Sequence, residues 1–148
     1  MIGAYLEVFV LVSRVHRAHF QAIRQALTEI SCDDINSVQA FILYNVGYEK
    51  RPVDAIRNQT NYLGLYISQI IRTLIKNGYL LHERKPDDYR IVNVWLSDKG
   101  RALCNRLVDI HQQSTNTSSD RESTTELERA VWTLRQIEQL CIDHELGC

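Results

Sequence analysis

The chain is short of the features that mark most catalytic and membrane proteins. Its six glycines and two prolines among 148 residues are scattered, and no glycine-rich loop is present to cradle a phosphate. Four cysteines, Cys32, Cys104, Cys141 and Cys148, show neither CxxC spacing nor the density of a disulfide scaffold. Zinc ribbons and stapled secreted folds are thereby excluded, and a reducing, cytoplasmic location is expected. The apolar run 5–12 is too short to span a bilayer, is interrupted by Glu7, and is followed by Arg14 and Arg17 without a cleavage-like site. No membrane partner and no export are expected.

The five histidines, His16, His19, His82, His111 and His144, fall in no Ser/His/Asp order, so an enzyme is not expected. His16 and His19 form the one close pair, three residues apart on a helical pattern. Without nearby cysteine or carboxylate partners they read as pocket or interface residues, and no metal or cofactor is expected. Cys32 and Cys104 lack a neighbouring cation pattern that would favour the thiolate, which points to inert thiols over redox sensors.

What is present is an ordinary globular composition, 45% hydrophobic, with an uneven distribution of charge. The net charge is -1, yet positions 57–101 carry eight basic and four acidic side chains. Such a split fits a phosphate-facing module on acidic flanks, although many solvated surfaces show as much.

Leu6, Phe9, Val10, Ser13, His16, Phe20, Ile23, Leu27 and Ile30 recur at helical steps and predict one long, mostly apolar-faced helix. Val38, Phe41, Ile42 and Val46 mark a second helix closing at Gly47, and 52–58 a short third that begins on Pro52. A fourth helix follows Tyr62 and stops at Gly78, with Ile67, Ile70, Ile71 and Leu74 inward and Tyr66, Gln69, Thr73 and Lys76 outward. The period then changes: 79–84 and 90–96 read as two strands around a turn at 85–89, with Val92, Val94 and Leu96 sharing the packed face. Ser97 is placed to cap a fifth helix with the stripe Leu103, Leu107 and Ile110. A polar loop at 112–123 precedes a sixth helix, where Ser123 and Glu126 form a capping-box pattern ahead of Leu127, Val131, Leu134, Ile137 and Cys141.

A two-stranded wing directly after a helix pair is the order of a mainly α, winged helix-turn-helix fold. The segment 88–100, Asp-Tyr-Arg-Ile-Val-Asn-Val-Trp-Leu-Ser-Asp-Lys-Gly, resembles the wing motif of the MarR family, in which an Asp and an Arg two residues later precede a strand ending in Leu-Ser/Thr-x-x-Gly. Upstream, Ile71-x-x-Leu74-x-x-x-Gly78-Tyr79-Leu80 is similar to the end of that family's recognition helix. Within the family, Leu6-Glu7-Val8-Phe9 and Asp34-Ile35-Asn36-Ser37-Val38-Gln39-Ala40 are similar to regulators of the L,D-transpeptidase-regulator type.

The resemblance implies a single domain over 1–148, with dimerisation helices at 1–31 and 103–148 and a DNA-binding lobe at 35–100. It further implies a homodimer on double-stranded DNA and a small-molecule effector held between dimerisation helices and lobe, where His16, His19 and Phe20 are candidates. Core packing is the competing role for those three.

On the recognition helix Leu65, Tyr66, Gln69, Arg72, Thr73 and Lys76 are the candidate DNA contacts, because such side chains can meet base edges in a major groove. On the wing Arg84, Lys85 and Arg90 are candidate phosphate or minor-groove contacts, with Asp88 placed to hold Arg90. An Asp-x-Arg turn can equally be a plain surface ion pair. Arg57 and Asn58 suit a DNA-backbone contact or a structural role alike. The helix begins on Leu63, Gly64, Leu65 and Tyr66, where the family commonly has small polar residues, so relatives' base preference does not transfer. A winged helix serving protein interaction is the alternative, and it would lack salt-sensitive preference for a duplex.

Overall fold

The structure is a computed structural model that describes residues 2–60, 66–115 and 121–145. Among the described residues there are six helices and three short strands, in the order α1 (Ile2–Glu29), α2 (Ser37–Val46), β1 (Arg51–Pro52), α3 (Val53–Thr60), α4 (Ile67–Lys76), β2 (Leu80–Lys85), β3 (Asp88–Leu96), α5 (Asp98–Thr115) and α6 (Arg121–Glu145). Contacts divide the chain into two compact units, Met1–Gln112 and Gln113–Cys148.

In the first unit the expected stripes become one core. Ile23, Ala26 and Leu27 of α1 join Ala40, Ile42, Leu43 and Val46 of α2, Ile56 of α3, and Ile67, Ile71 and Leu74 of α4. Leu80, Val94 and Leu96 of the hairpin and Leu103, Cys104 and Leu107 of α5 complete it. Val92, expected on the same strand face, is only half-buried and packs against the edge of that core. Leu6, Val10 and Val15 of α1 are each more than half exposed, so the long helix is core along its second half and solvent-facing along its first.

Helix ends are set by side chains. Asn36 caps α2 through a reciprocal pair, its Oδ1 accepting from Gln39 N at 2.9 Å while Gln39 Oε1 accepts from Asn36 N at 3.0 Å. Ser97 caps α5 as expected, accepting from Gly100 N at 3.1 Å, and its hydroxyl donates back to the Gly78 carbonyl. Gly78 turns the chain out of α4 at φ 80°, a left-handed conformation that side chains with a Cβ resist.

Three expectations need correction. A third strand exists: Arg51 pairs with Val94 and Pro52 with Asn93, giving the sheet order β1-β3-β2. Two residues give no readable period, and Pro52 sits in that edge strand just before α3. The hairpin is longer and its turn tighter than 85–89, because Lys85 pairs with Asp88 after a register shift that breaks the regular pairing from Leu80 with Leu96 to Arg84 with Val92. The polar loop expected at 112–123 is shorter, because α5 runs to Thr115 and α6 starts at Arg121, and the Ser123 side chain lies outside the described residues. In the second unit α6 leaves Leu127, Val131, Trp132, Leu134, Leu140 and Ile142 exposed.

Candidate nucleic-acid interface

The outward face of α4 is polar because its inward face is spent on the core. Ile67, Ile71 and Leu74 are buried, while Tyr66, Gln69, Arg72 and Lys76 are exposed. Tyr66 stands at the N-cap and is 83% exposed, a large aromatic ring held out at the start of the helix. Thr73 is half-buried, and its hydroxyl donates to the Gln69 carbonyl at 3.1 Å. Leu65 lies outside the described residues.

At the wing Asp88 holds Arg90 by three bonds. Oδ1 accepts from the Arg90 backbone N–H and from Nε, both at 3.1 Å, and Oδ2 accepts from Nη2 at 3.3 Å. The Arg90 side chain bonded to the Asp88 carboxyl, together with the backbone bond, holds that carboxyl below the usual range. The Arg90 side chain nevertheless remains 91% exposed, so the pairing aims the guanidinium without covering it. Arg84 donates to the Tyr89 carbonyl at 2.8 Å and so steadies the hairpin tip from the opposite strand. Lys85, the last residue of β2, is exposed.

α4 and the wing are brought together across a cavity of about 320 Å³ lined by Arg57, Arg72, Arg84, Arg90 and His82 over an apolar floor that includes Ile71 and Val92. Four arginines from one helix pair and one hairpin thus line a single concave surface, together with Asp54. Arg57, which the sequence left between two roles, donates to Asp54 on its own helix and to Ser68 Oγ of α4 at 2.6 Å. It therefore fixes the start of α4, with its charge paired to Asp54, which lines the same cavity. Arg57 was left open between a backbone contact and a structural role, and His82 was missed; the local excess of positive charge was the available signal, and only the fold collects it.

The wing is seated on the rest of the lobe by two side-chain networks. Lys50 reaches Glu83 at 2.8 Å and covers the Trp95 ring at 4.3 Å from its centroid. Asp34, between α1 and α2, accepts from the Tyr79 hydroxyl at 2.7 Å and from Lys99 Nζ at 2.9 Å, and Lys99 also donates to the carbonyl of Asn77, the residue that ends α4. Those donors, Tyr79 first, hold the Asp34 carboxyl down at about 2. Cys32 lies 3.3 Å from the Tyr79 hydroxyl, and burial pushes the Cys104 thiol up to about 11, far from the thiolate that oxidation requires.

The candidate effector residues do come together, but against one another. His16 and His19 pack edge-on against Phe41 of α2 and Phe20 lies tilted against it, and neither the cavity above nor a second one of about 540 Å³ beside Tyr44, Arg51 and Gln59 is lined by the three. Among the described residues no helix is long and apolar enough to cross a membrane.

The fold is that of a winged helix, a helix pair followed by a β-hairpin. Residues 35–100 match the family model described as Winged helix DNA-binding domain. Over 100 residues the chain is 29% identical to the exopolysaccharide II synthesis transcriptional activator ExpG of Rhizobium meliloti, a match that covers 68% of this chain and 52% of that protein. The chain thus spans about half the length of this curated relative. Among solved structures it has the fold of MarR regulators. It is similar to a mutant MarR from E. coli complexed with operator DNA (TM-score 0.60, 18% identity, 90% of this chain and 97% of that one). It is also similar to a MarR transcriptional regulator from Methanosarcina mazei Go1 (TM-score 0.64, 20% identity, 88% and 97%). ExpG is named a transcriptional activator and the Methanosarcina mazei protein a transcriptional regulator.

Proposed function

We propose that the chain is a MarR-type transcription regulator that binds a specific double-stranded DNA site as a homodimer in the cytoplasm. The observation that carries this reading is the convergence of Arg57, Arg72, Arg84 and Arg90 beside the exposed face of α4. Arginine forks suit phosphate and base edges alike, and their position between a helix and a wing matches the two grooves a winged helix meets. In this reading Tyr66, Gln69, Arg72 and Lys76 meet base edges, with Leu65 and the Thr73 methyl available to a thymine methyl. Arg90 enters a minor groove or clamps phosphate, held by Asp88, while Arg84 and Lys85 lie along the backbone.

The homodimer is supported by the apolar side chains that α1 and α6 each leave in solvent, Leu6, Val10 and Val15 on one and Leu127, Trp132 and Leu140 on the other. Two recognition helices about 34 Å apart would read a pseudo-palindromic operator. A small effector acting between the dimerisation helices and the lobe would have to part the rings of His16, His19 and Phe20 from Phe41.

Selection of bound duplexes from a random pool tests the reading. It should return one inverted-repeat motif, and Gln69→Ala should change the preferred bases at one position of each half-site. Recovery of unrelated sequences would favour a protein-interaction role for the winged helix.

A further inference from the structure

Three histidines and two phenylalanines meet where α1, α2 and α5 touch. His19 Nδ1 of α1 stands 3.4 Å from His111 Nε2 of α5, with ring centroids 5.4 Å apart and nearly perpendicular. His16, one turn earlier, packs on Phe20 at 4.8 Å, and Phe20 in turn lies 5.1 Å from Phe41 of α2. His19 faces the Phe41 ring at 5.9 Å.

The arrangement suits neutral imidazoles. A neutral ring offers one N–H and one lone pair, so His19 and His111 can face one another nitrogen to nitrogen. Two protonated rings cannot, because both nitrogens would then donate and two like charges would sit in contact in a partly dry space. The charges acting on His19 are His111 from α5 and His16 from its own helix, while the side chain that α2 contributes is the uncharged Phe41 ring. Burial first, then those two histidines, holds the His19 imidazole below its usual value of 6.5. The unfolded chain therefore takes up that proton before the folded one, and stability declines as pH falls below about 6.5. Among the described residues no three His, Cys, Asp or Glu side chains gather to hold a metal ion.

We propose that the His16, His19 and His111 cluster is a proton-operated joint: mild acid protonates it, loosens α5 from α1 and α2, and weakens DNA binding. The last part rests on the DNA-binding reading above. Transmission is built into α5, a continuous helix whose other end holds the wing. Ser97 caps it against the Gly78 carbonyl, Lys99 ties it to Asp34, and Gly100 lies against the Tyr79 carbonyl. Acid would ordinarily strengthen DNA binding by adding positive charge, so a loss of affinity is the distinctive sign.

The test follows imidazole NMR signals, hydrogen exchange along α5 and duplex affinity between about pH 7.5 and 5.5, in the full chain and in His19→Gln and His111→Gln. Expected are His19 titration below its ordinary range, faster α5 exchange in acid, and a roughly tenfold fall in affinity that each variant flattens to less than about twofold. His19→Phe, which keeps an apolar ring, replaces His19→Gln if the latter does not fold. Equal pH profiles in wild type and variants, or α5 exchange indifferent to pH, would overturn the joint. If wild type binds no duplex at any pH, the DNA reading fails, while titration and exchange still decide whether the joint exists.

Discussion

Gly100 shows how a residue in a wing motif becomes a steric requirement. A Cβ at this position would lie 2.2 Å from the Tyr79 carbonyl oxygen and 3.3 Å from a Leu96 methyl. The same carbonyl accepts the Ser97 N–H at 3.0 Å, so the backbone there has little room to retreat. The first turn of α5 can sit on the base of the hairpin only without a side chain. Gly100→Ala should cost about 1–3 kcal/mol, the usual penalty for overpacking, and a thermal unfolding curve unchanged from wild type would refute this account. Arg90 is the converse case, a residue whose loss the fold should not feel. Its side chain is 91% exposed and is paired with Asp88 of the same turn. Arg90→Ala should leave the melting temperature within a degree or two, because surface pairs are worth little, yet weaken binding to many duplex sequences by roughly tenfold. Anisotropy titrations beside a melting curve separate the two effects.

Among the elements, those with a strong period were legible from the residues alone. α4 is the clearest, since Ile67, Ile71 and Leu74 against Tyr66, Gln69 and Lys76 divide the helix as burial later divides it. β3 was legible through Val94 and Leu96, but its start was not, because the Lys85–Asp88 pairing depends on a register shift that no alternation announces. β1 escaped because two residues carry no period and Pro52 reads as a helix start. The Asn36 and Gln39 capping box was readable by its spacing of three. The partnership of Asp34 with Lys99 spans 65 residues and was legible only in three dimensions. That network makes a prediction of its own. The Asp34 carboxyl is held at about 2 against an ordinary 3.8, so its contribution to stability is present above about pH 4 and is lost as pH falls toward 2. Asp34→Asn should lower stability at neutral pH and flatten its dependence on pH between those values, as urea unfolding at stepped pH would reveal. An unchanged slope would mean the carboxylate does not tie the α1–α2 connection to Tyr79 and α5.

At the level of the whole molecule, the site was legible in its parts and not in its gathering. Sequence placed Arg72 on the recognition helix and Arg84 and Arg90 on the wing, but the shared cavity that adds Arg57 and His82 exists only once the hairpin folds back on α3 and α4. The apolar faces of α1 and α6 were likewise readable as stripes, and the proposed two-fold assembly is what would cover them. Sedimentation at micromolar concentration should report a dimer with and without DNA, and a monomer under both conditions would remove the paired-helix model of the operator. The central claim, that α4 and the wing together bind a specific duplex, is tested most directly by affinity for a selected duplex and a scrambled one across a salt series. The account predicts that the selected duplex stays the tighter at every salt, by about a thousandfold or more, while log affinity falls linearly with log salt, and that Arg90→Ala lowers that slope by about one. Equal affinity for the two duplexes, or binding indifferent to salt, would contradict it.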